Sequence, residues 1–381
     1  MVWWMNHNPS KQKEGVFNGL ETKNDTVYET INIMYDCHNV SYDRYDIRAL
    51  VNAGVNIINV DMTIHDNGFF QQIKIAVDLF EKIPQIMPSL YIPVGLSVTI
   101  SALNPIDLDD RVDIIILKDV TSTNQLREFK KQNKKLSSMT ILLWPPSLGI
   151  VDLNELIKAR KPVFYMHPDI VEDYYEGPSN DRELLTQVRE LITNRFDGVI
   201  LKNHGKQPPI AFIQSFVSAT EILENETNLT ADYFNKSFPL LLPVLQPYSV
   251  ALAASIAAVT CGAKAIFVLT STGSSAKDLS CSAPPCRVLA ITRNEKCARR
   301  MHLYRKIMPL LYREKRLGSW QEERLARTAF GVKFCIKCGL LDFNAKLVVL
   351  APDDQGTAYC NGFQIFTVLH IMNFYLCEKG I

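Results

Sequence analysis

The sequence predicts an α/β fold: an incomplete (β/α)8 barrel of the TIM type, followed by a second, smaller α/β domain. Between about residues 29 and 203 one rhythm recurs, in which a short apolar run and a polar turn precede about ten to fifteen residues of helical character. The runs are almost continuously apolar, as parallel strands covered on both faces are. After a polar connection the same rhythm restarts near residue 248.

The expected barrel strands are TINIMYD, VNIINVDM, IPVGLSVTI, VDIIILKD, MTILLWP, KPVFYMHP and DGVILKN. Helical stretches such as Tyr45 to Ala53 and Asp181 to Thr193 lie between them. Closure of repeated βα units into a barrel buries such strands. Seven strands are found where a full barrel has eight, so one strand is hidden or one unit is missing. Glu221 to Phe238 reads as the polar connection. Beyond it come an alanine-rich helix (Tyr248 to Gly262), strand AIFVL, a helix, strand RVLAIT, a helix, LVVLAP and a last strand near Phe363 to Ile371. The expected organisation is a loose tail over residues 1–25, the barrel over 26–240 and the second domain over 241–381.

A hydrophobic content of 47% in 381 residues is enough for a sizeable core. With 41 basic and 40 acidic side chains, no large field steers the chain toward nucleic acid or an anionic membrane. The first residues, MVWWMNHNPSKQKEG, lack the pattern of a secretory signal. Val250 to Leu269 comes nearest to a membrane span, but Thr260, Gly262 and Lys264 interrupt it. A buried helix followed by a buried strand is the better reading. Nine cysteines without a signal point to free thiols in a reducing, cytoplasmic setting. Cys335 and Cys338 form a CxxC inside helical sequence, without the four-ligand pattern of a zinc site.

FVLTSTGSSAKDLS has the grammar of a phosphate cradle: a strand end, a hydroxyl-rich turn and a helix start. Its Thr270, Ser271, Thr272, Gly273, Ser274 and Ser275 either cap a helix opening at Ser274 or Ser275, or offer hydroxyls and backbone N–H groups to an anion. His65, His167 and His204 fall near the carboxyl ends of barrel strands, where barrel chemistry sits. They read as separate loop histidines, with a shared metal as the alternative. Asp61, Asp119 and Asp197, at strand boundaries, read as capping or hydrogen-bonding carboxylates.

The stretches AVTCGAKAIFVLTSTGSSAKDLS, RVLAITRNEKCARRMHLYRKIMPLLYRE and FGVKFCIKCGLL resemble, in order and spacing, the C-terminal domain of pyruvate kinases. DIRALVNAGVNIINVDMT, KPVFYMHPDIVED and DGVILKNHG are similar to barrel segments of the same family. The resemblance covers about residues 26 to 373 and implies a pyruvate-kinase-like α/β C-terminal domain behind the barrel. It also implies phosphoryl transfer from phosphoenolpyruvate to ADP, a glycolytic reaction that depends on cations placed around the phosphoryl group.

The positions matching the family's catalytic groups do not carry them. Asn59 stands where the resemblance expects the phosphate-binding arginine, with Asp61 and Thr63 beyond it as weak remnants of a cation site. Thr99 replaces a potassium carboxylate. The lid domain that the family inserts next is absent, the chain running on through Asn104 and Pro105. Trp144 and Pro146 replace the catalytic lysine and a magnesium glutamate. The loop bearing the magnesium aspartate has no counterpart between Leu153 and Lys161, which accounts for the missing unit, and His167 replaces a substrate threonine.

The resemblance therefore implies a pseudoenzyme with no catalytic residues and a scaffolding or assembly role, against the alternative of residual pyruvate kinase activity. No cofactor is expected, with magnesium and potassium needed only if activity remains. Pyruvate kinases are tetramers, so the expected partner is another copy or a pyruvate-kinase-like chain, with neither nucleic acid nor membrane. Trp320 and Arg327 keep the spacing of an effector site that would include the Thr270 to Ser275 turn. Asp353 and Asp354 in APDDQGTAY would repel a bisphosphate there.

Overall fold

The computed structural model describes residues 31–38, 41–82, 93–103, 109–120, 123–132, 140–143, 162–166, 179–202, 209–226, 244, 246–284, 286–354, 356–357 and 359–378. All seven expected strands of the first domain are present: β1 (Asn32–Cys37), β2 (Ile57–Asp61), β3 (Gly95–Ser101), β4 (Ile114–Lys118), β5 (Thr140–Leu143), β6 (Phe164–Met166) and β7 (Gly198–Lys202). They form one parallel sheet in the order β5-β4-β3-β2-β1-β7-β6. Among the described residues no strand joins β5 to β6, so the sheet is that of an incomplete barrel. Residues 144–161, where the sequence places the deletion, lie outside the described residues.

Alternation along each strand sends neighbouring side chains to opposite faces. Ile33, Tyr35, Ile58, Val60, Val98, Ile115 and Leu201 join the helix-covered core, with Ile47 and Leu50 of α1 (Arg44–Ala53) and Ile73 and Val77 of α2 (Asn67–Lys82). The opposite parity, including Met34, Ile57, Ile114, Ile116 and Ile200, lines the inside of the sheet. Helix α1 starts where its composition says it should: Asp43 caps it in a reciprocal box with Asp46.

Helix α3 (Thr123–Gln132) precedes β5; α4 (Ser179–Thr193) and α5 (Ile210–Glu226) flank β7 in the chain. Helix α5 runs past Glu221, the expected start of the polar connection. Burial of Leu223 and Glu224 keeps its last turns wound.

The second domain contains α6 (Tyr248–Cys261), β8 (Ala265–Leu269), α7 (Ser274–Ser282), β9 (Arg287–Thr292), α8 (Glu295–Met301), β10 (Ile307–Leu311), α9 (Trp320–Lys337), β11 (Lys346–Ala351), β12 (Gly362–Thr367) and α10 (Val368–Glu378). Its sheet order is β10-β9-β8-β11-β12, with β12 antiparallel to β11. Two elements differ from the sequence reading. β10 was not expected because Pro309 interrupts it; the strand tolerates proline because it lies at the sheet edge. The expected last strand ends at Thr367, and Val368, Ile371, Met372 and Tyr375, at helical spacing, pack into the core beside α9 instead.

The two sheets meet at the amino ends of the barrel strands. Leu303, fully buried, fills the inside of the first sheet against Met34, Ile57, Ile114 and Phe164. Arg299 Nε donates to both oxygens of Asp113 at 3.0 Å. His302 Nε2 donates to the Pro93 carbonyl at 2.6 Å. Asn32 Nδ2 donates to the Tyr304 carbonyl at 3.0 Å, and the Arg305 backbone N–H to Asp197 at 3.1 Å. Glu224 receives both Arg305 and Lys306. Among the described residues, these contacts cover the amino end of the barrel sheet and not its carboxyl end.

Candidate functional site

Strand parity decides which polar side chains face into the barrel mouth. The inward phase that places Met34, Ile57 and Ile114 on the inner face continues to Asp36 on β1, Asn59 and Asp61 on β2, and Lys118 on β4. The same phase holds Thr99 and Ser101 on β3 and Lys202 on β7. Asn59 and Thr99 are fully buried and Asp61 is 1% exposed.

Asn59 Nδ2 donates to Asp36 Oδ1 at 2.7 Å and to Thr99 Oγ1 at 3.0 Å. The Asp61 carboxylate accepts from Lys118 Nζ at 2.6 Å, from Thr63 Oγ1 at 2.6 Å and from the Thr63 backbone N–H at 3.0 Å. Lys118 Nζ also donates to Thr63 Oγ1 at 3.2 Å. Lys202 Nζ lies 3.9 Å from Asp36 Oδ2, and Ser101 donates to Asp119 at 2.6 Å.

These contacts set the protonation of the site. Burial pushes Asp36 up to about 6, against the lowering effect of Asn59 and Lys202. Burial also acts on Asp61, but the hydrogen bonds from Lys118 and Thr63 outweigh it and hold the carboxyl below its ordinary range. Among the described residues, the inner face of the sheet thus sets Lys118 against Asp61 and Lys202 against Asp36.

Asn59, Asp61, Thr63 and Thr99 lie together on this face, Asn59 bonded to Thr99 and Asp61 to Thr63. Asp36, Lys118 and Lys202 were missed, although the alternation that faces them inward is readable in the strands. Trp144, Pro146 and His167 lie outside the described residues, as does His204. His65 meets His38, with Nε2 and Nδ1 3.4 Å apart, and stacks on Phe69. Burial holds His65 below its ordinary pKa.

A potassium ion at the mouth would require the Asp61 carboxylate and the Thr63 hydroxyl, and Lys118 already occupies both. Among the described residues, no group of three or more His, Cys, Asp or Glu side chains is arranged to hold a metal ion. The described residues do not leave that ion a free set of ligands. Cys335 and Cys338 are thiols whose pKa burial raises, Cys338 to about 11, so neither is a ready thiolate.

The cradle of the second domain is equally self-contained. Helix α7 begins at Ser274 behind Gly273, whose positive φ of 83° suits glycine. Thr270 Oγ1 accepts from the Gly273 N–H, Thr272 Oγ1 from the Ser274 N–H, and Ser275 Oγ from the Cys360 N–H.

A cavity of about 230 Å³ does bring Thr270 and Ser271 together with Trp320 and Arg327. Its wall carries Glu323, which accepts from Arg293 Nε at 2.6 Å and from Arg327 Nε at 2.7 Å. Burial raises the Glu323 pKa, but the two guanidiniums prevail and bring it to about 2. Asp353 and Asp354 are not among the cavity residues, so the carboxylate opposing an anion there is Glu323. Trp320 Nε1 donates to the Pro352 carbonyl at 2.9 Å.

Among the described residues no helix is long and apolar enough to cross a membrane. Val250 to Leu269 divides into α6 and β8, as read from the sequence.

The pyruvate kinase alpha/beta domain family matches residues 248–365. Pyruvate kinase 2 of Saccharomyces cerevisiae is 29% identical over 212 residues, which cover 55% of this chain and 42% of that protein. The pyruvate kinase of Candida albicans is 29% identical over 234 residues, 58% of this chain and 44% of its own. Human pyruvate kinase PKLR is 36% identical over 118 residues, 31% of this chain and 21% of its own. The chain spans less than half the length of these relatives.

Proposed function

We propose that the chain, whose second domain matches the pyruvate kinase alpha/beta domain family, is a pyruvate-kinase-like protein that has lost phosphoryl transfer and acts in the cytoplasm as a scaffold or assembly component. The observation that carries this reading is the Lys118–Asp61–Thr63 cluster. Phosphoryl transfer depends on cations that face the transferring group, and here the ammonium nearest the remnant cation site is turned onto a protein carboxylate at 2.6 Å. Asn59 and Thr99 on the same face carry no charge.

The second domain supports association. An apolar groove between α6 and β12 is lined by Ala253, Ile256, Ala257 and Ile365. Ile256 and Ile365 are 40% and 48% exposed, apolar surface suited to another copy or a pyruvate-kinase-like partner. A second reading, residual pyruvate kinase activity with magnesium and potassium, draws on the two lysines at the mouth.

The deciding assay is ATP formation from phosphoenolpyruvate and ADP, with magnesium and potassium, at protein concentrations that detect very slow turnover. No signal above background is expected. Turnover that scales with protein and disappears in Asp61→Asn would overturn the proposal.

A further inference from the structure

We propose that His38 and His65 form an open binding site for a divalent transition metal of the zinc class. His38 directly follows β1, His65 lies four residues beyond the end of β2, and these two strands are neighbours. The fold therefore brings both rings to one edge of the sheet. The site draws no ligand from the side chains of Asp61, Thr63 or Lys118.

The spacing of the two ring nitrogens points to a metal. His65 Nε2 and His38 Nδ1 stand 3.4 Å apart. This is long for a hydrogen bond between two rings, because an N–H donor usually lies about 2.7–3.2 Å from its acceptor. Two imidazole nitrogens each about 2.0–2.1 Å from a tetrahedral zinc ion are separated by about 3.3–3.4 Å. The observed gap thus matches an edge of that tetrahedron.

The rings are also held in place. The His65 backbone N–H donates to the Asp61 carbonyl at 2.9 Å, and the His65 ring stacks on Phe69 with centroids 4.3 Å apart. His38 meets the His65 ring edge-on, at 5.2 Å and 75°. Both histidines are half-buried, so an ion from solvent can reach them. Burial favours the neutral His65 ring, which is the form that binds a metal, and the nearby charges of Asp61 and Asp66 favour a cation there.

Imidazole suits zinc, copper and nickel, whereas magnesium prefers an octahedron of oxygens. Among the described residues no third His, Cys, Asp or Glu side chain joins the pair in a metal-holding group. The remaining positions therefore fall to water or to an oxygen of a bound molecule, which makes the site open rather than structural.

The test is isothermal titration of the full chain, kept reduced under argon, with zinc chloride and separately with magnesium chloride. A saturable zinc site is expected, with no counterpart for magnesium, and weakened about tenfold or more in His38→Gln and in His65→Gln. Zinc-edge X-ray absorption of the unsubstituted protein at one equivalent of zinc separates this site from the free thiols and does not depend on how the variants fold. Two imidazoles with oxygen neighbours, all at about 2.0–2.1 Å, are expected. A sulfur shell at about 2.3 Å would place the zinc on cysteines and overturn the proposal. Zinc affinity unchanged in both variants, or no saturable zinc binding at all, would overturn it equally.

Discussion

Replacing Asp113 with alanine tests whether the two sheets behave as one cooperative unit. The Asp113 side chain is fully buried and accepts from Arg299 Nε of the second domain at 3.0 Å, from Arg111 Nη1 at 2.8 Å and from the Leu96 N–H at 3.1 Å. Arg111 retains Asp78 and Glu81 after the substitution, at 2.9 and 3.3 Å. Among the described residues Arg299, whose side chain is 9% exposed, then keeps the more distant contact to Glu295, at 3.7 Å.

A buried guanidinium that loses its partner costs about 3–5 kcal/mol. At roughly 2.1 cal/mol/K of unfolding entropy per residue, a cooperative unit of 381 residues has an unfolding entropy near ~0.8 kcal/mol/K, so the melt should fall by about 4–6 °C. Differential scanning calorimetry reads this directly. A single endotherm is expected for the unsubstituted protein, lowered or split in Asp113→Ala. A variant that melts within about 1 °C of the parent would refute the assignment of Asp113 as the joint between the sheets.

Gly198→Ala should destabilise by about 3 kcal/mol, because its Cβ would fall 2.2 Å from Phe164 Cε1 and 2.7 Å from the Asn32 carbonyl oxygen. An unchanged urea midpoint would contradict the pairing of β1 with β7. Burial also lowers the His302 pKa to about 4, from an ordinary 6.5. The fold therefore favours the neutral ring: its contribution is complete above pH 6.5 and is lost as the pH falls toward 4. The size of that loss is on the order of 3 kcal/mol. Asp197, raised to about 6 by burial, acts in the opposite sense, since its contribution is lost as the pH rises toward 6. The difference in stability between the parent and His302→Gln between pH 7 and 4 isolates the histidine, and a pH-independent difference would exclude this role.

Continuous apolar runs disclosed all seven strands of the first domain because a strand buried on both faces has few other ways to be written. β10 escaped notice because its proline is tolerated only at an edge, and sequence does not say which strand will be outermost. The segment after Thr367 is apolar enough for either strand or helix, and the surface of α9 selected the helix. Asn59 and Thr99 drew notice in the sequence only through the resemblance to pyruvate kinases. Lys118 was not, because a lysine at a strand end reads as a solvated side chain until another strand brings it a carboxylate.

The sequence by itself determined the α/β class, the parallel strands and the likeness of the second domain to the pyruvate kinase alpha/beta domain, all properties of local pattern. Only the tertiary structure decided that Lys118 and Asp61, 57 residues apart, close on each other, and that Glu323 rather than Asp353 or Asp354 faces Arg327. Whether a charge is free for a ligand or already neutralised depends on contacts across the sheet and between helices. Those contacts exist only once the strands have found their order.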